Sequence, residues 1–74
     1  MGEMAVLGKE GDTKFMWDPK VDFEVDDARA RFDKYIKEGY LAFHVDKEGN
    51  KAKPMKKFDP KAGKIILTPA PTGG

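Results

Sequence analysis

Val25, Ala28, Phe32, Tyr35 and Ile36 recur at i, i+3, i+7, i+10 and i+11. That spacing draws one apolar stripe along a helix of 3.6 residues per turn. It is the strongest periodic signal in the chain, and its ends are marked. Asp22 is in place to cap the first turn, with Glu24, Asp26 and Asp27 adding negative charge there. Lys34 and Lys37 put positive charge near the last turn, where the helix dipole favours it. Asp27–Arg31, Asp33–Lys37 and Lys34–Glu38 have the spacing of ion pairs on the solvent side. Gly39 supplies the terminating glycine, and Tyr40 beyond it can fold back on Tyr35.

A helix with one apolar face needs a second layer. The remaining pattern offers strands. "MAVL", Met4–Leu7, and "TKFMW", Thr13–Trp17, flank a turn containing Gly11 and read as a hairpin. The other reading is a loose N-terminal arm that lays Phe15 or Trp17 on the core. After the helix, "YLAFHVD" alternates. Leu41, Phe43 and Val45 are assigned to the helix side, and Tyr40, Ala42, His44 and Asp46 to the other. "KEGN" at 47–50 is a turn. "KAKPMKKF" is a further strand with Ala52, Pro54, Lys56 and Phe58 on one side, and Pro54 assigns it to an edge. "DPKAGK" is a turn, "IILTP" the last strand, and Pro69 and Pro71 end it.

The order is therefore ββαβββ, or αβββ if the N-terminus is an arm. Residues 1–74 form a single small α+β domain of two layers, one helix on a mostly antiparallel sheet. With the hairpin included, a β-grasp arrangement is open to it, the helix crossing a sheet whose strands flank it in sequence. Residues 69–74 form an exposed C-terminal tail.

A chain of 74 residues buries only about 60% of its extended surface. At 39% hydrophobic and 36% charged residues, with the apolar ones in periodic runs, it is expected to fold. There is no cysteine, hence no disulfide framework, thiolate ligand or thiol nucleophile. No signal-peptide pattern or membrane-length apolar window is visible, so a soluble, cytoplasmic protein without a membrane partner is expected. The net charge of +1 conceals an asymmetry: ten acids and seven bases before Tyr40, three acids and seven bases from Tyr40 onward. The basic half, Lys47 to Lys64, is suited to steering an acidic partner.

The residues argue against internal catalysis. His44 is the sole histidine, no serine occurs, and no phosphate-binding glycine loop is present. No carboxylate spacing fits a calcium loop. The expectation is a non-enzymatic domain with no cofactor and no metal. Trp17, Tyr40, His44, Lys53, Lys56, Lys57 and Phe58 are the candidate partner surface. Trp17 is the sole tryptophan: core or core-edge packing is the favoured reading, and an exposed anchor for a protein is the alternative. Tyr40, His44 and Phe58 among lysines would suit stacked bases, which makes nucleic-acid binding a less favoured alternative.

The tail is the remaining candidate for chemistry. A strand at Ile65–Thr68 runs into Pro69 and Pro71, which hold the chain extended, with Thr72 between them and the glycines. Gly73 and Gly74 have no side chain and fit a groove that a Cβ would block. "KIILTPAPTGG" resembles the end of the ubiquitin-like β-grasp proteins, and especially the small sulfur carriers of molybdopterin and thiamine synthesis. The resemblance implies a β-grasp fold with Gly74 as the activated glycine and Gly73 before it. It implies an E1-like adenylating enzyme as partner, and a thiocarboxylate or isopeptide bond as product. A second resemblance spans more of the chain. "TKFMWDP", "ARARFDKYIKEGYLAF", "KKFDPKAGKIILTP" and the closing "GG" look like small proteins encoded in tailed-phage, prophage and other mobile-element gene sets. It implies an accessory or protein-binding domain and assigns no residue a role.

Overall fold

A computed structural model describes residues 1–8, 11–46, 48 and 52–70. The elements are β1 (Gly2–Val6), β2 (Thr13–Trp17), α1 (Asp22–Lys37), β3 (Tyr40–Val45), β4 (Ala52–Met55) and β5 (Lys64–Pro69). The strands form one sheet in the order β2-β1-β5-β3-β4. β1 and β5 run parallel in its interior, and the other three pairings are antiparallel. α1 packs on one face, which gives the two-layer α+β domain that the helical stripe calls for.

The N-terminus is a structural strand, not an arm. Gly2–Val6 pairs with Thr13–Trp17 on one side and with Lys64–Leu67 of β5, through Glu3–Val6, on the other. Met4 and Val6 face the helix and are buried. Opposed residues share a face, so two rows of side chains form the floor under α1. One is Phe15, Met4, Ile65, His44 and Lys53. The other is Thr13, Val6, Leu67, Ala42 and Met55. Ala28 and Phe32 of the helical stripe are buried against this floor, with Val25, Tyr35 and Ile36 at its margins.

Two copies of one local device close the end of the sheet. Asp18-Pro19-Lys20 follows Trp17, and Asp59-Pro60-Lys61 follows Phe58. In each, the aspartate Oδ1 accepts the lysine backbone N–H at 2.9 Å. In each, the aspartate carbonyl accepts the N–H three residues on, from Val21 at 2.9 Å and from Ala62 at 3.0 Å. Aspartate competes well for nearby backbone donors, and proline presets the φ of the turn's second residue. The two turns bring the preceding rings together, Trp17 and Phe58 with centroids 5.0 Å apart. Phe32 meets Phe58 at 5.8 Å. The indole N–H of Trp17 donates to the Pro60 carbonyl at 3.0 Å. Gly2 is opposite Trp17, and a Cβ there would fall 2.2 Å from the indole ring. The ring takes the space that a side chain at residue 2 would need.

The helix ends partly as expected. Val21, extended at φ −109°, is the N-cap, and Asp22 is the first helical residue, with no side-chain cap bond. The capping assignment shifts by one because Glu24 reaches back to the Asp18 N–H at 3.0 Å and ties the first turn to the preceding loop. Glu38 is the C-cap, and Gly39 follows at φ +97°, a left-handed conformation that glycine adopts without penalty. Tyr35 and Tyr40 meet across this turn in a tilted contact, with centroids 4.9 Å apart. Asp27–Arg31 forms at 2.9 Å, whereas the Asp33–Lys37 and Lys34–Glu38 pairs are not made.

Candidate functional site

The structure inverts the facing of β3. Ala42 lies in the core and Tyr40 packs beside it, while Leu41 is 45% exposed. Leu41, Phe43 and Val45 thus face away from the helix. Leu41, Phe43 and Val45 are the more apolar parity of "YLAFHV", so alternation alone assigns the wrong one to the helix. The helix accommodates the methyl of Ala42 and the ring of Tyr40.

This rearranges the proposed partner surface. Trp17 is fully buried and hydrogen-bonded, so it is a core residue and no anchor. Phe58 lies beyond β4 and packs on Trp17 and Phe32, and Tyr40 packs on Tyr35. Neither presents a ring on the open face. His44 is on the helix-side face, half-buried near the end of the sheet. There it lines a cleft of about 550 Å³ with Met1, Val45, Asp46, Lys61 and Lys64. The aromatic platform for stacked bases is therefore not assembled from Tyr40, His44 and Phe58. Lys53, Lys56 and Lys57 are exposed and make no ion pair among the described residues. They remain available to a partner. Gly73, Gly74, Pro71 and Thr72 lie outside the described residues, as do Lys47 and Lys51. Among the described residues, no group of three or more His, Asp or Glu side chains gathers where a metal could be held, and no helix is long and apolar enough to cross a membrane.

Sequence reasoning missed the apolar open face. One row across the sheet runs Lys14, Ala5, Ile66, Phe43, Pro54. Leu41 stands next to it, opposed by Thr68. Met16, 61% exposed, lies on the same face, beside the Glu3–Lys64 ion pair at 3.6 Å. The pattern was present in "IIL": with Ile65 and Leu67 inward, Ile66 has to point out. Leu41 and Pro54 are exposed here and Phe43 and Ile66 half-buried, so the face that α1 does not cover keeps apolar surface.

The last strand leaves the sheet beside that face. β5 is held on both sides, by β1 up to Leu67 and by β3 up to Pro69. Leu7 adds an N–H bond to the Leu67 carbonyl at 2.9 Å. Pro69 and Ala70 then emerge into solvent.

The fold and surface together define a small α+β domain with one covered and one open sheet face. Comparison with known proteins adds no relative: no family model, curated protein or solved structure matches the chain.

Proposed function

We propose that the chain is a ubiquitin-like β-grasp protein that works without catalysing a reaction itself, offering the carboxylate of Gly74 to a partner enzyme. Its strand order supports this: a hairpin precedes the helix, and the first and last strands run parallel in the interior of the sheet. The observation that carries the reading is the exit of β5. A strand paired on both sides almost to its end is a rigid base, and Pro69, its last residue, restricts the backbone where the chain leaves the sheet. In this reading an E1-like adenylating enzyme docks on the open face around Leu41, Phe43 and Ile66. A Gly74 carboxylate oxygen attacks the α-phosphorus of ATP, releasing pyrophosphate. A sulfur donor or an amine then displaces AMP, leaving a thiocarboxylate or an isopeptide. The cytoplasm is the compartment this chemistry implies.

The test is the intact mass of untagged protein purified from its own host, which also reports whether Gly74 is the mature terminus. A gain equal to the exchange of one oxygen for sulfur supports a carrier. Gly-Gly remnants on lysines of other proteins support a modifier. If neither is found and deletion of Gly73 and Gly74 leaves the host unaffected, the reading fails. A second reading, an accessory protein-binding domain of the mobile-element kind, draws on the same open face. It predicts that substitutions at Leu41 and Phe43 abolish partner binding while the tail deletion does not.

A further inference from the structure

β3 is longer than its neighbour at the sheet edge. Ala42–Val45 pair with β4, but among the described residues Tyr40 and Leu41 pair only with Pro69 and Thr68 of β5. In an antiparallel strand each residue sends its N–H and C=O to the same side, and successive residues alternate. One of these two residues therefore aims both groups at the unpaired side. β4 ends at Met55, and the chain bends away at Lys56 and Lys57. What remains is a notch of about 480 Å³ at the free edge. Its walls come from both faces of the sheet: Ile36, Tyr40 and Met55 from the helix side, Leu41, Phe43 and Pro54 from the open side.

A pocket lined from both faces at an unpaired strand edge suits an extended chain, whose alternate side chains go to opposite faces. The charge at its end is equally one-sided. Lys56 lines the notch. Between Ala52 and Phe58 there are three lysines and no acid, and none of the three is in an ion pair among the described residues. We propose that this notch binds an extended segment of a partner protein, apolar along its length and acidic where it passes Lys56 and Lys57, which adds to the free edge of β3 as a short strand. Its occupant needs no activated glycine.

The test is a titration of the ¹⁵N-labelled full chain with a capped hexapeptide of two aspartates followed by four valines. Amide shifts are expected at Tyr40–Phe43 and Met55–Lys57, with slowed hydrogen exchange at Tyr40 or Leu41. A peptide with lysines in place of the aspartates should bind about ten-fold more weakly, and the K56E/K57E variant should lose the acidic peptide by a similar factor. Both lysines are exposed, so the variant keeps its fold, and the buried Trp17 emission verifies that. No shifts at millimolar peptide, equal binding of the lysine peptide, or shifts centred on Met16 and Ile66 would each overturn the proposal. None of these outcomes depends on the fate of Gly74.

Discussion

Ile65 and Ile66 are adjacent in β5, and their surroundings differ completely. Ile65 is fully buried under the helix, whereas Ile66 points away and keeps part of its surface in water. Ala42 and Phe43 repeat the contrast in β3, with the smaller residue inside. One face of this sheet is a core and the other an uncovered apolar surface, although their residue types are similar. Burial here is decided by the covering layer. A helix of 16 residues spans about 24 Å, enough to roof one side of five short strands and no more. An apolar side chain left on the other side gains little stability, so its presence there points to use.

The contrast can be broken most forcefully from the covered side. Phe32→Ala removes a fully buried ring that meets Phe58. It should cost about 3–5 kcal/mol, a large part of what a domain this small has in reserve. Chemical denaturation followed by emission of the sole tryptophan, Trp17, measures it. Gly2→Ala should cost about 1–3 kcal/mol by overpacking, because the added methyl meets an indole fixed by its bond to Pro60. A red-shifted Trp17 emission in the folded variant would identify the displaced ring. Unchanged stability would show that residue 2 moves freely and that β1 is less integral than its pairing implies.

Substitutions on the open face should behave in the opposite way. Leu41→Ser, at 45% exposure, should change stability by less than about 1 kcal/mol. If a partner docks on this face as proposed, the substitution should nonetheless abolish that binding, measured by calorimetry with the partner recovered from the host. A loss as large as that of Phe32→Ala would mean that this face is core, covered by something the free domain carries itself.

These differences explain how much can be read from the chain. The helix is legible because its stripe, charge gradient and glycine all agree over sixteen residues. Pro54 marks the edge strand correctly, since a missing N–H harms an interior strand most. The facing of β3 is illegible because its more apolar parity is the one the helix leaves uncovered. Trp17 reads as core or as an anchor in sequence, and the choice falls to core through Phe58 and Pro60, more than forty residues later, by two turns whose joint effect is tertiary. For a site the sequence offers the tail, whose residues 71–74 lie outside the described residues. The open face and the notch at β3 both depend on register, which a single strand's sequence does not state.

The smallest expected effect lies at the boundary of the two faces, where α1 meets edge strand β2. Arg31 stands over the Phe15 ring at 4.3 Å, and its Nε donates to Asp27 at 2.9 Å. The pairing with Asp27 is exposed on both sides and contributes little. The guanidinium over the ring is attracted by its quadrupole and shields the half-buried Phe15 from water. A double-mutant cycle of Arg31→Gln and Phe15→Leu should give a coupling of about 0.5–1 kcal/mol. Asp27→Asn should cost no more than a few tenths, and less at high salt. If the cycle shows no coupling while Asp27→Asn carries the loss, Arg31 serves the helix alone. The helix would then meet β2 through Trp17 and the apolar stripe, with no further tie at the margin.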